Sequence, residues 1–216
     1  MSLRIFFRIS ESAKRTTALN TVACALLLLA VAAGSASAQF PDLLAFGQQP
    51  RIDEFRNSLA PNVGSPDHAI ERMLQVANLK PGETLYDLGS GDGRILIAAA
   101  QKYKVKGVGI EISSSLARQS AEEIKKAGLQ KRVKIIHGDF MKTDLSEANV
   151  VTLYLATTAN ETLRPNLEHY LRPSTRVISY DYPIPGWKAI ETSETDGYQG
   201  AAHTIYVYQI PASLKK

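Results

Sequence analysis

The sequence predicts an α/β fold: an open, mostly parallel seven-stranded sheet with helices on both faces and a C-terminal antiparallel hairpin. Three observations carry that expectation. Strand-like and helix-like segments alternate between Thr84 and Tyr182, a glycine-rich turn follows the first strand, and Asp196-Gly197, a favoured hairpin pair, separates the last two apolar runs.

The elements follow in order. Ser65-Pro66 has the form of an N-cap with proline at the first helical position; Ala69, Met73, Leu74 and Ala77 supply an apolar face at helical spacing, and Pro81-Gly82 stops it. Thr84 to Leu88 is a short apolar strand running into the glycine turn. Arg94 to Tyr103, rich in Ile, Leu and Ala, predicts a helix. Lys106 to Ile112 is strand-like, Ser114 to Ala127 helical, Val133 to His137 a strand and Val150 to Leu155 a buried strand. Glu161 to Leu171 is helical and Arg176 to Tyr182 a strand, and Trp187 to Thr195 with His203 to Ile210 form the hairpin.

Composition narrows the class. Of 216 residues 44% are hydrophobic and 21% charged, with a single cysteine. A disordered polyelectrolyte, a disulfide-stapled miniprotein and a multi-span membrane protein are excluded. Residues 1–38 stand apart: Arg4, Arg8, Lys14 and Arg15 precede an apolar run from Val22 to Ala33, and Ala36-Ser37-Ala38 follows. This pattern fits a secretory signal peptide cleaved after Ala38, so the protein is expected to be exported, periplasmic or secreted. An uncleaved membrane anchor and an organellar presequence are the alternatives. Cleavage removes four of 25 basic and one of 21 acidic side chains, together with Cys24, leaving 178 residues of charge +1. Broad basic recognition and thiol chemistry then drop out. Residues 39–64, with Pro41, Pro50 and Pro61, read as an N-terminal arm or lid, and 65–216 as one domain.

The most informative segment is Asp87-Leu88-Gly89-Ser90-Gly91-Asp92-Gly93-Arg94. Three alternate glycines allow a tight strand-to-helix turn with close approach to a ligand, and the helix N-terminus presents N–H groups. Arg94 occupies the position where a dinucleotide site needs its third glycine, and neither a Walker loop nor a G-x-S-x-G elbow is present. Glu111 at the end of the second strand suits a ribose diol, and Asp139 after the third suits an adenine amino group beside Phe140. The plainer reading is a tight turn with surface acids at strand ends.

These residues resemble the class I S-adenosylmethionine-dependent methyltransferases, a Rossmann-like family. The resemblance implies S-adenosyl-L-methionine as cofactor, with Asp87, Gly89, Gly91 and Gly93 at its methionine part, Glu111 at the ribose and Asp139 at the adenine; Ser90, Ile112 and Phe140 complete the candidate set. Tyr86 to Ile95, Val108-Gly109-Ile110-Glu111, Asp144-Leu145-Ser146 and Val150 to Leu155 look more narrowly like the mitochondrial lysine methyltransferases of ATP synthase subunit c and the adenine nucleotide translocase, and their bacterial relatives. That likeness spans Ser65 to about Trp187. It implies a lysine acceptor on a protein, with a membrane protein among the candidate substrates. The family usually carries Leu-Pro after the fourth strand, where this chain has Ala156-Thr157.

Tyr154 and Asp181, closing strands four and five, are the candidate catalytic residues, because ligands of open α/β sheets bind at the carboxyl ends of strands. Packing and a surface turn are their plainer alternatives. Small-molecule methylation and non-catalytic cofactor binding stand as competing functions. His68, His137, His169 and His203 lack ligand spacing, so no metal is expected. Leu155-Ala156-Thr157 lacks the box of nucleic-acid amino-methyltransferases, so no nucleic-acid acceptor is expected either. An exported enzyme conflicts with a cofactor made in the cytosol.

Overall fold

The computed structural model describes residues 64–196 and 202–214. The expected leader, the arm apart from Gly64, and Gly197 of the expected hairpin turn lie outside the described residues. In chain order the elements are α1 (Asp67–Val76), β1 (Thr84–Leu88), α2 (Arg94–Tyr103), β2 (Lys106–Glu111), α3 (Ser114–Lys126) and β3 (Val133–His137). A 3-10 turn (Phe140–Lys142), β4 (Val150–Leu153), α4 (Thr157–Tyr170), β5 (Arg176–Tyr180), β6 (Glu191–Asp196) and β7 (Ala202–Gln209) follow.

The seven strands form one sheet in the order β3-β2-β1-β4-β5-β7-β6. Strands β1 to β5 pair in parallel, and β7 runs antiparallel to both β5 and β6. The chain begins mid-sheet, steps outward through β2 and β3, then returns to β4 on the other side of β1. A crevice therefore opens at the carboxyl ends of β1 and β4, where the winding reverses.

Alternation along the strands divides the core. Leu85, Val150, Ile178 and Val207 face α1, α2 and Ile124 of α3. Their neighbours Tyr86, Val151, Val177 and Tyr208 face Leu163 and Leu167 of α4 and Trp187. All but Tyr86 and Val207, which are nearly as buried, are under 2% exposed, as expected for a sheet covered on both faces. At the opposite end of the sheet from the crevice, Arg176 reaches Glu83 at 2.5 Å and the carbonyls of Ala77 and Asn78 at 2.7 Å, tying the end of α1 to the start of β5.

Several boundaries depart from expectation. Pro66, not Ser65, is the N-cap of α1 and makes no side-chain cap. The helix ends at Val76, before Pro81, and the chain turns at Asn78 with φ 49°. Helix α4 starts four residues before Glu161, under an Ala156 N-cap without a side-chain bond. Its polar first turn hides the apolar period because the side chain of Asn160 is buried for its hydrogen bonds. Trp187 is only an isolated bridge to Leu214; Lys188 N–H donates to Ser213 O, and β6 begins at Glu191. Strands β2, β4 and β5 stop at Glu111, Leu153 and Tyr180, so Ile112, Tyr154 and Asp181 each lie one residue past a strand end.

Candidate active site

The glycine turn is held by the end of β2, by its own backbone and by two acids. Gly89 and Ser90 N–H both donate to Ile110 O at 2.9 and 3.1 Å, and Gly93 N–H donates to Ser90 O at 2.8 Å. Glu111 uses both carboxylate oxygens: Oε2 accepts from Gly91 N–H and Oε1 from Ser113 N–H, each at 2.8 Å. Asp92 Oδ1 accepts the first N–H of α2, that of Arg94, at 3.2 Å, and its carboxylate pairs with the Arg94 guanidinium at 2.6 Å. That bond holds the Asp92 carboxyl below its usual range, with partial burial opposing. Arg94 also donates to Ser65 O at 3.2 Å, fastening the entry of the domain beside the turn.

Side-chain space explains two glycines. Gly93 sits at φ 80°, and a Cβ there falls inside contact distance of Ser120 Oγ on α3. Gly109 of β2 has no room either: a Cβ lies 2.5 Å from Ser90 Oγ, 2.6 Å from Ile135 Cδ1 and 2.8 Å from Leu96 Cδ1. Ser90 therefore points beneath the turn, against β2. Its buried Oγ has no hydrogen-bond partner among the described residues, so its place in the site comes through its backbone.

Asp87, one residue before the end of β1, is 3% exposed and lies in register with Gly109 on one side and Thr152 on the other. Thr152 Oγ1 donates to Asp87 Oδ1 at 2.7 Å. Burial pushes the Asp87 carboxyl up to about 7; the Thr152 bond opposes this, and the charges of Glu111 and Asp92 add to it. Three carboxylates thus crowd one turn whose N–H groups are largely taken within the chain. A phosphate finds repulsion and few free donors here, whereas a small cation with hydroxyl groups relieves the repulsion and finds acceptors. The expectation of free helix N–H groups is corrected at Arg94, where Asp92 takes the first.

The acid after β3 caps the 3-10 turn: Asp139 Oδ1 accepts from Met141 N–H at 2.9 Å, and Lys142 Nζ approaches Oδ2 at 3.7 Å. Phe140 and Ile112 are half-buried. His137 bonds Ile112 O at 3.1 Å, which links the ends of β2 and β3. The nine residues expected at the cofactor thus converge on the carboxyl ends of β1, β2 and β3.

A second cluster stands at the ends of β4 and β5. Leu88 pairs with Leu153 and Leu153 with Ser179, so Gly89, Tyr154 and Tyr180 succeed one another across the rim of the sheet. The Tyr154 ring meets Tyr180 edge-on at 4.8 Å and stacks on Tyr182 at 6.3 Å. Burial first, and then the charge of Asp181, raises the Tyr154 hydroxyl above its ordinary range; the same two causes raise Tyr180, against a Thr195 bond. Both shifts favour the neutral phenol at Tyr154 and Tyr180. Asp181 has φ 65°; its N–H donates to Thr204 O at 2.7 Å and its Oδ2 contacts His203 Nδ1 at 2.5 Å. Asn160 Nδ2 and Ser179 Oγ both donate to Tyr182 O, at 3.0 and 2.5 Å, which holds the turn beyond β5.

Thr152, Tyr180, Tyr182, Asn160 and His203 were not expected. No local pattern announces them: Thr152 matters because β4 lies beside β1, and His203 because β7 lies beside β5. Among the described residues no group of three or more His, Cys, Asp or Glu side chains is placed to hold a metal ion.

Comparison with known proteins fits this arrangement. A family profile described as the ANTKMT methyltransferase domain matches residues 87–191. A protein-lysine N-methyltransferase of Saccharolobus islandicus is 43% identical over 152 residues, 69% of this chain and 93% of that protein. The adenine nucleotide translocase lysine N-methyltransferase of mouse is 31% identical over 130 residues, and the chain spans 56% of its length. Among solved structures, an RNA methyltransferase from Salinibacter ruber in complex with S-adenosyl-L-homocysteine has a TM-score of 0.67 at 40% identity, covering 71% of this chain and 97% of that one.

Proposed function

We propose that this chain, which belongs to the class I S-adenosylmethionine-dependent methyltransferases and is related to their lysine-methylating family, methylates a lysine side chain on a protein substrate. S-adenosylmethionine, when bound, supplies a methyl group carried on a cationic sulfur. The chain's own residues do the rest. Asp87 and Glu111 offer carboxylates to the cofactor's ammonium and ribose hydroxyls, and Asp139 with Phe140 and Ile112 meets the adenine; Gly89 to Gly93 let the backbone approach.

The acceptor side is carried by one observation: the Asp181 carboxylate stands among Tyr154, Tyr180 and Tyr182, two strands from the glycine turn. A lysine ammonium entering there gains a carboxylate partner and aromatic faces. Its deprotonation at pH 7 from a reference near 10.4 costs about 4.6 kcal/mol; the carboxylate and ring faces add to that cost and desolvation by the rings opposes it, the proton leaving to solvent before the neutral amine is methylated. Asp181 orients the nitrogen, and alignment is most of what this displacement needs from the protein.

A second reading, methylation of RNA, is favoured by the Salinibacter neighbour. The acceptor rim argues against it. Asp181 and the exposed Glu194 and Asp196 toward the end of β6 place carboxylates there, whereas phosphate contacts require cations. Incubating the purified protein with methyl-labelled cofactor and separate protein, RNA and small-solute fractions of a cell extract, membrane proteins included, decides. Label in a protein band, released as methyl-lysine on hydrolysis, is expected; label in RNA or in small solutes alone overturns the proposal. From residues 1–38 we infer export, and N-terminal sequencing of the native protein is expected to begin at Gln39; a start at Met1 in the cytosol rejects export.

A further inference from the structure

We propose that His203 is the positioning residue of the acceptor site: it holds Oδ2 of Asp181 and so leaves Oδ1 as the oxygen that meets the incoming amine. The inference rests on the reading of Asp181 given above.

The backbone around Asp181 is held on both sides. Its N–H is bonded to Thr204 O, and the next carbonyl, that of Tyr182, is held by Asn160 and Ser179. Its φ of 65° turns the side chain out of the strand's alternation, a conformation that aspartate tolerates better than most residues. The backbone bonds leave both side-chain torsions free, and the contact that restrains them is the one from His203 Nδ1 to Oδ2 at 2.5 Å. A carboxylate oxygen accepts, so the ring donates through Nδ1–H and its tautomer is set. Oδ1 has no hydrogen-bond partner among the described residues.

The ring of His203 is fixed in turn. It stacks on Tyr180 with centroids 5.5 Å apart and planes 19° from parallel, and Tyr180 packs edge-on against Tyr154. On its other side His203 is paired in register with Thr195 of β6. A chain of packed rings therefore runs from β7 through β5 to β4 and ends where the acceptor enters. Rotational freedom in a group that aligns a reactant is expensive, because displacement by about 1 Å costs on the order of a hundredfold in rate.

The test compares turnover, acceptor KM and cofactor affinity in four variants. His203→Leu is expected to lower kcat about tenfold or more, with cofactor affinity unchanged. His203→Asn, whose amide takes the place of Nδ1–H, is expected within about threefold of wild type, and His203→Gln, whose amide lies one bond farther out, near the Leu variant. In an Asp181→Asn background, His203→Leu is expected to add nothing, since it acts only through Asp181. Equal rates for the Asn and Gln variants, or a loss from His203→Leu that persists undiminished in the Asp181→Asn background, overturn the inference; the Asn and Gln pair decides even where the Leu variant does not fold. Full turnover in Asp181→Asn overturns the Asp181 assignment itself, which is a different result.

Discussion

The two halves of the crevice are built differently. On the β1–β3 side, a short contiguous segment is fastened to the end of one adjacent strand: Gly89 and Ser90 bond Ile110 O, and Glu111 closes the turn by bonding Gly91 and Ser113. On the β4–β5 side, the run Tyr180-Asp181-Tyr182 is completed from elsewhere: Tyr154 follows β4 and His203 stands on β7, joined to it by ring contacts and one polar pair. A site written in local backbone geometry tolerates little change in its glycines and acids. A site assembled by strand register is free to change its side chains while the sheet stays intact. That difference suits a family that keeps one cofactor and varies its acceptors.

Asp181→Asn presses hardest on the comparison. It is expected to lower kcat about a hundredfold or more, on the order of 3 kcal/mol, while calorimetry shows wild-type cofactor affinity. A parallel loss of cofactor affinity merges the two halves into one site.

Asp87→Asn comes next, with opposite effects on stability and binding. Because the folded-state carboxyl titrates near 7 and the unfolded one near 3.8, the native state holds its proton longer. The contribution of Asp87 to stability is therefore greatest below about pH 4 and falls as the pH rises toward 7, by on the order of 2–4 kcal/mol, while depressed carboxyls such as Asp92 contribute in the opposite sense. The variant keeps an acceptor for Thr152 and escapes that fall, so its thermal midpoint is expected to exceed wild type increasingly from pH 4 to 7 and then by a constant margin. Its cofactor affinity drops. In the wild type, affinity for the cationic cofactor declines below pH 7, where Asp87 must lose a proton to bind. A margin independent of pH defeats this account.

Glu111→Gln places an amide nitrogen against one of two N–H donors, Gly91 or Ser113. About 2 kcal/mol of stability is expected to go, and cofactor affinity to fall about tenfold or more, with little change in kcat at saturation. Denaturant melts and a cofactor titration measure both. Tyr154→Phe is the mildest: the ring contacts with Tyr180 and Tyr182 remain, cofactor affinity is unchanged, and kcat falls a few-fold, under about 1 kcal/mol. A hundredfold loss there, read from initial rates, would make the hydroxyl a principal catalytic group.

Most of the sheet was legible because β1, β2, β4 and β5 are buried on both faces and all five parallel strands are bounded by turn residues. The boundary of α4 was not, because its first turn spends Asn160 on a polar clasp instead of the core. Ser90 and Asp87 illustrate the same limit inside the site. Both stand in the glycine segment, yet the side chain of Ser90 turns beneath it against Gly109, and the state of Asp87 depends on Thr152, 65 residues away in sequence.

The sequence by itself determined the α/β alternation, the glycine turn and the three acids, because tight turns and strand ends are short-range features that a few adjacent residues specify. Tertiary structure alone decided which oxygen of Glu111 meets which N–H, how burial and two neighbouring carboxylates raise Asp87, and that His203 of the last strand reaches Asp181. Those outcomes depend on strand order and register, which arise from burying both faces of one sheet at once and leave no trace in any local run of residues.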